Sequence, residues 1–73
     1  MERNEIIYET LKFFLDNSKS IHVTLKSGEW LNGKIIVLKK DRFVIIEEKY
    51  GEMLVLFDRV KDDGISPRRE AEE

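Results

Sequence analysis

The stretch from His22 to Gly33, HVTLKSGEWLNG, decides the fold of this chain. Apolar residues alternate with polar ones before the Ser27-Gly28 pair, which is typical of a half-buried strand: Ile21, Val23 and Leu25. A three-residue loop of Ser27, Gly28 and Glu29 places the glycine in the left-handed region and pairs Leu25 with Leu31. The stretch therefore predicts a β-hairpin with one apolar face.

Further strands follow the hairpin. Its second strand runs from about Trp30 to Leu38 and contains Gly33, which predicts a sharp bend or bulge. A polar turn from Lys39 to Asp41 precedes a third strand, Arg42 to Glu47, and a fourth strand is predicted from Met53 to Val60. The polar residues between Val60 and Ile65 predict that the fifth strand is short.

Residues 4 to 16 predict a helix that begins at an N-capping Asn4. Its apolar residues recur at helical spacing: Ile7, Leu11, Phe14 and Leu15. We expect a single domain over residues 1–67, with the helix at about 4–16 and a barrel at about 20–67. A flexible charged tail is expected over residues 68–73.

The third and fourth strands are apolar on both faces. Phe43 and Ile45 point to one side, and Val44 and Ile46 point to the other. Since one helix covers one face of a small sheet, the other face is buried either by strong curling or by a neighbouring subunit. The pattern predicts a mainly β fold: an N-terminal helix followed by a small, strongly bent five-stranded antiparallel barrel that self-associates.

Composition excludes several classes of protein. The 73 residues contain no cysteine, which excludes disulfides. The single histidine, His22, is too few for a recognisable metal site. No apolar run is long enough to span a membrane, and no secretory leader is visible, so we expect a soluble, cytoplasmic protein. No serine has a base at recognisable spacing. The expectation is a non-enzyme without cofactor, metal, membrane partner or small-molecule substrate.

The order of helix and strands now allows a family resemblance to be stated. The segment His22 to Gly33 resembles the first Sm motif, with its hydrophobic strand, glycine turn and second glycine five positions later. Asp41 to Ile45, DRFVI, is similar to the Asp-Gln-Phe-Val-Ile run of the bacterial Hfq branch, and Ile65-Ser66-Pro67 resembles the close of the second Sm motif in archaeal members. The resemblance to the Sm-like family covers residues 6–67. It implies a non-catalytic module that binds single-stranded RNA as a homo-oligomeric ring, a hexamer or heptamer.

The resemblance also implies site residues. Phe43 stands at the position of the base-stacking aromatic, with Arg42 as its polar neighbour, and Phe57 and Arg59 stand at the second base-contacting motif. Lys39 and Lys40 are candidates for phosphate contacts. The opposite face of the ring would carry a second group of candidates: Trp30, Asn32 and Thr24.

Other interpretations of the same residues stay open. Phe43 alternates with Ile45, which is also the pattern of a core residue, and Trp30 is equally suited to packing against the helix or a subunit. The chain also departs from the Sm-like pattern. Phe43 and Val44 stand where many Sm proteins carry the asparagine that holds uracil, and the Lys-His pair of Hfq is missing after Phe57. These departures and the net charge of −2 suit a protein-interaction module without a nucleic-acid role. A generic SH3-like or OB-type barrel is the alternative at the level of the fold.

Overall fold

Five antiparallel strands follow one helix in the computed structural model, which describes residues 2–68. The elements are α1 (Arg3–Asp16), β1 (Ser20–Leu25), β2 (Trp30–Leu38), β3 (Arg42–Glu47), β4 (Gly51–Leu56), a 3₁₀ turn (Phe57–Arg59) and β5 (Val60–Pro67). The strands form a single sheet in the order β4-β3-β2-β1-β5. The helix and the five antiparallel strands are confirmed, and residues 69–73 of the predicted tail lie outside the described residues.

The helix begins one residue earlier than predicted. Glu2, rather than Asn4, is the N-cap residue, and its backbone N–H donates to Oε1 of Glu5 at 3.1 Å. Glu5 therefore satisfies one of the donors that a helix start leaves unpaired. Asn4 lies inside the first turn.

The core lies between the helix and the inner face of the sheet. Its buried side chains come from every element: Ile7, Leu11, Phe14, Ile21, Val23, Leu31, Ile35, Phe43, Ile45, Val55, Phe57 and Val60. The predicted helical stripe supplies Ile7, Leu11 and Phe14, while Leu15 is half-buried. Burial of this apolar area, at about 25 cal/mol per Å² removed from water, is the main force that holds the helix on the sheet.

The β1–β2 hairpin differs from the predicted register by two residues. Val23 pairs with Leu31, and the N–H of Leu25 donates to the carbonyl of Glu29 at 2.8 Å. The loop is therefore Lys26 to Gly28, with Gly28 as its last residue at φ +97°. A left-handed glycine at the last position of a three-residue loop is the usual form of this hairpin. The predicted loop, Ser27 to Glu29, instead has Gly28 at its middle position. A shift by two residues leaves each side chain on its predicted face.

Gly33 is required by close packing rather than by a bulge. A Cβ atom at this position would lie 2.1 Å from the carbonyl oxygen of Ile46 on β3. The bulge in β2 lies further along, between Ile35 and Val37. The bulge predicted at Gly33 is therefore displaced along the strand, and the glycine itself lets two backbones approach each other.

The fourth and fifth strands also differ from the prediction. β4 ends at Leu56 because the 3₁₀ turn intervenes, and β5 runs over eight residues from Val60 to Pro67. The prediction of a short fifth strand is wrong, because β5 pairs with β1 from Leu25↔Val60 to Ile21↔Pro67. An irregularity in this pairing lies opposite Val23–Leu25, and there the polar residues of β5 face solvent.

The sheet does not close into a barrel. Within residues 2–68, β4 pairs only with β3 and β5 pairs only with β1, so both are edge strands. Three apolar side chains on the outer face of β3 and β4 remain exposed: Ile46, Leu54 and Leu56. Curling of the sheet, one of the two predicted ways of burying the outer face of β3 and β4, therefore does not bury these side chains.

Candidate functional site

Two turns that are distant in sequence meet beside β4. The N–H of Phe57, at the start of the 3₁₀ turn, donates to the carbonyl of Asp41 in the β2–β3 turn at 2.9 Å. Nearby, the N–H of Lys26 donates to the carbonyl of Arg59 at 2.8 Å, which brings the β1–β2 loop to the same place. The structure thus places the predicted residues Arg42 and Arg59 on neighbouring segments.

Three cations line one cleft between β4 and the β1–β2 loop. We call this cleft of ≈ 600 Å³ the basic cleft; its cationic residues are Lys26, Arg42 and Arg59. Leu54 and Leu56 form part of its wall, and Glu29 is its one acidic residue. Lys26 carries no signal in the sequence, and it belongs to the site because the loop hydrogen bond holds it beside Arg59.

The three cations differ in how free they are. The guanidinium of Arg42 is bound by both carboxylate oxygens of Asp41, at 2.9 and 3.0 Å. This hydrogen bond lowers the pKa of Asp41, so the pair stays ionised and Arg42 is partly neutralised. Lys26 and Arg59 are exposed, and within residues 2–68 their side chains show no ion pair. An incoming phosphate would therefore meet these two cations first.

Arg3 holds the 3₁₀ turn that carries Arg59. Its guanidinium donates to the carbonyls of Phe57 and Val60, and its Nε lies 2.8 Å from Oδ1 of Asp62. These bonds join the start of the helix to both ends of the turn. The same contact lowers the pKa of Asp62.

The predicted aromatic residues of this site are core residues. Phe43 and Phe57 are fully buried, and their ring centroids lie 6.1 Å apart at an angle of 45°. Neither ring has a face open to a nucleobase. The alternative interpretation of Phe43 as a core residue is confirmed, because the alternation with Ile45 points both side chains inward.

The two predicted lysines do not join the basic cleft. Lys39 is exposed at the end of β2, where its backbone N–H donates to the carbonyl of Arg42 at 2.8 Å. Lys40 lines a separate hollow together with Glu2, Glu5 and Glu9 of the helix region. Acidic neighbours there compete with any phosphate for Lys40.

A second cleft, of ≈ 540 Å³, adjoins the first. We call it the aromatic cleft because the exposed rings of Trp30 and Tyr50 both line it. Four residues are common to the linings of both clefts: Leu25, Glu29, Leu31 and Met53. The two clefts therefore form one continuous surface.

The predicted second-face residues lie around the aromatic cleft. Trp30 pairs with Thr24 and His22 pairs with Asn32, so the predicted face shared by Thr24, Trp30 and Asn32 is confirmed. Oδ1 of Asn32 lies 2.6 Å from Nδ1 of His22. Trp30 and Asn32 line the cleft, whereas Thr24 is not among its lining residues.

A buried carboxylate shapes this cleft. Glu47 is 5% exposed and accepts three backbone hydrogen bonds: from Asn32 at 3.0 Å, Lys49 at 2.6 Å and Tyr50 at 3.0 Å. The bond from Asn32 is the main cause that lowers the pKa of Glu47, and burial acts in the opposite direction. Glu47 thereby ties β2 to the β3–β4 turn that carries Tyr50.

The sequence contained a sign of this carboxylate. Alternation places Phe43, Ile45 and Glu47 on one face of β3, and that face is the buried one. A glutamate at an inward position needs hydrogen-bond donors, and the following turn supplies two of them. Tyr50 itself carried no comparable sign, because a single aromatic residue in a turn fits many structures.

The described residues contain no group of three or more histidine, aspartate or glutamate side chains placed to hold a metal ion. Among them, no helix is long and apolar enough to cross a bilayer. The chain matches no protein-family model, and no curated protein matches it. What the structure defines is a small protein with an N-terminal helix, a five-stranded antiparallel sheet and two adjoining surface clefts.

Proposed function

We propose that this protein is a non-catalytic, Sm-like module that binds single-stranded RNA in the cytoplasm as a homo-oligomeric ring. The observation that supports this most is the convergence of Lys26 and Arg59, from distant segments, on one cleft. Cations from rigidly joined turns suit a phosphate backbone, because they need no rearrangement to meet it.

Self-association is part of the proposal. The edge strands β4 and β5 present unpaired backbone groups, and such edges are templates for pairing with another chain. Exposed Leu54 and Leu56 lie on β4 itself, so pairing of β4 with β5 of the next copy would place side chains of that copy beside them. Repetition of one weak site around a ring gives avid binding despite the net charge of −2.

Ring formation is expected to depend on the exposed face of β4. Size-exclusion chromatography with light scattering is expected to give a multiple of 8.7 kDa for the parent. Leu54→Lys places a charge on the edge strand beside which the next copy would pair, so we expect it to shift the mass toward the monomer. Leu54 is 57% exposed in the single chain, and the melting temperature of a monomeric Leu54→Lys protein gives an independent check that it folds.

Ile6→Lys is the matched control, since Ile6 is 50% exposed but lies on the helix. It is expected to keep the parent's mass. A parent that elutes as an 8.7 kDa monomer at high concentration contradicts the ring.

RNA binding at the basic cleft is expected to be sensitive to salt. Titration of the parent with oligo(U) and oligo(A) should show weaker binding as salt rises, because phosphate contacts release counterions. Arg59→Ala should weaken binding to both oligomers and lower the salt slope by about one. Arg59 is exposed, so the melting temperature should change little.

Lys19→Ala is the control for charge alone, because Lys19 is exposed and is not among the residues that line the basic cleft. It should leave the slope unchanged. If neither homopolymer binds the parent at low salt, the protein-interaction module becomes the better interpretation of the fold.

A further inference from the structure

The two faces of the sheet differ in what covers them. The helix packs on the inner face through the core, and the other elements of residues 2–68 are the strands themselves and the 3₁₀ turn. On β1 the residues between the buried ones are polar: Ser20, His22 and Thr24. On β3 and β4 the corresponding residues are mostly apolar. The outer face is therefore suited to water at β1, and it lacks a cover at β3 and β4.

The apolar part of the outer face is continuous across three strands. Val37 on β2, Val44 on β3 and Leu54 on β4 are register partners, so their side chains form one row on the same face. Ile46 lies next to this row on β3, and we call the four residues the outer patch. All of them except the half-buried Val44 are exposed. Pairing of the edge strands extends the sheet in its own plane, so a ring built in that way places no layer over the outer patch.

Opposite charges flank Ile46 in the next row of the sheet. Ile46 pairs with Lys34 on β2 and with Glu52 on β4. Both charged side chains are exposed, and within residues 2–68 neither takes part in an ion pair. The row thus has a cation at one end, an apolar side chain in the middle and an anion at the other end.

A second copy of the same face complements this row. When two sheets pack face to face about a two-fold axis that runs along β3, β3 of each copy lies over β3 of the other, and β2 lies over β4. Lys34 of each copy then faces Glu52 of the other, and Val37 faces Leu54. A two-fold axis therefore makes two ion pairs and buries both outer patches at once.

We propose that the outer patch is a two-fold interface between two copies of this chain, packed sheet on sheet with Lys34 of each copy opposite Glu52 of the other. The interface uses the faces of β2, β3 and β4 and leaves the backbone of both edge strands unpaired, so it does not rest on the proposed ring or on RNA binding. Arg42 lies on the same face near the axis, and its charge is already balanced by both carboxylate oxygens of Asp41.

A single introduced cysteine tests this arrangement, because the chain has none of its own. Ile46→Cys places one thiol on each side of the axis, in sheets about 10 Å apart. A bis-maleimide of that span should join them into a covalent dimer of twice 8.7 kDa. In a ring built by edge pairing, the same positions of neighbouring copies are separated by five strand spacings, roughly 24 Å, which the reagent does not span.

Ile6→Cys is the matched control, since Ile6 is as exposed as Ile46 but lies on the helix. It should stay monomeric on a denaturing gel after the same treatment. Equal cross-linking of the two variants, or no cross-linking of Ile46→Cys, overturns the interface and leaves the outer patch to a different partner.

Reversal of the flanking charges tests the pairing itself. In the Ile46→Cys protein, Lys34→Glu and Glu52→Lys each turn both symmetry-related contacts into like-charge contacts. We expect each to raise the protein concentration needed for half-maximal cross-linking about tenfold or more. The two reversals together restore opposite charges and should restore cross-linking. Lys19→Glu, an exposed reversal outside the patch, should have no effect.

The failures of this interface and of the ring are distinguishable. A double reversal that cross-links no better than either single reversal overturns the two-fold arrangement, provided that the melting temperatures show all variants to be folded. A parent mass of twice 8.7 kDa, with cross-linking of Ile46→Cys, supports the interface and contradicts the ring. A larger parent without cross-linking contradicts the interface alone.

Discussion

Replacement of Gly33 by alanine is expected to destabilise the protein by at least ~3 kcal/mol, at the upper end of the cost of inserting one methyl group into packed structure. The added Cβ would lie 2.1 Å from the carbonyl oxygen and 2.8 Å from the carbonyl carbon of Ile46. These are backbone atoms inside a paired strand, so they cannot turn aside as the end of a flexible side chain would. For a chain of this size, whose total stability is expected near 4–11 kcal/mol, the loss lowers the melting temperature by about 15 °C or more.

Gly28→Ala is the matched control for this substitution. Gly28 has φ +97° and no atom within 4 Å of an added Cβ, so alanine meets backbone strain of about 1–2 kcal/mol but no clash. Thermal unfolding of both variants, followed by circular dichroism, compares the two costs. Equal melting temperatures for Gly33→Ala and Gly28→Ala would contradict the close approach of β2 and β3.

Glu47→Ala is expected to cost about 3 kcal/mol, because three backbone N–H groups lose a charged acceptor and each such bond contributes about 1.5–3 kcal/mol when buried. The exposed positions of Lys49 and Tyr50 let water replace part of what is lost. Glu47→Gln keeps the size of the side chain and one acceptor oxygen, so its cost should be smaller. Denaturant unfolding at pH 7 measures both.

The same carboxylate makes stability depend on pH. The pKa of Glu47 lies below its ordinary value of 4.5 in the folded protein, so its contribution is fully present above pH 4.5 and is lost as the pH falls through the lower, folded value. The gap in stability between the parent and Glu47→Gln should therefore shrink in acid. Asp41, Glu48 and Asp62 also have lowered pKa values beside arginines, but they are present in both proteins and cancel in the comparison. A gap that stays constant from pH 7 to pH 3 would contradict the role of the charge.

The spacing of apolar residues was sufficient to predict the helix and the five strands, and its period of two predicted the faces of β1 to β3. The same spacing did not predict the register of the first hairpin or the length of β5. The register of the first hairpin depended on which loop position Gly28 takes, and period-two alternation does not distinguish two registers that differ by two residues. β5 was underestimated because an irregular pairing with β1 leaves Lys61 to Asp63 exposed, and a polar exposed segment resembles a loop.

The candidate site was predicted in outline and misplaced in its aromatic residues. The convergence of Arg42 and Arg59 is what the Sm-like resemblance implies, because the turns after the second and fourth strands meet in that fold. The resemblance implies that Phe43 stacks on a base, whereas its alternation with Ile45 favours the core, and the core is where it is found. Tyr50 was missed because its place beside Trp30 depends on Glu47, through contacts between β2 and a turn that lies well beyond it in the chain.

The pairing of β1 on both sides has a consequence for the order in which the protein folds. The hairpins β1–β2, β2–β3 and β3–β4 each join neighbouring segments, so they form quickly and in any order. Docking of β5 on β1 brings together Val23 and Ile65, and it closes a loop of about forty residues at a corresponding entropic cost. Arg3 then binds the 3₁₀ turn and the start of β5, and its ion pair with Asp62 joins residues that are 59 positions apart in the sequence. The transition state for folding is therefore expected to contain the meander of β1 to β4, and the capture of β5 by β1 and of the 3₁₀ turn by the helix is expected to come last.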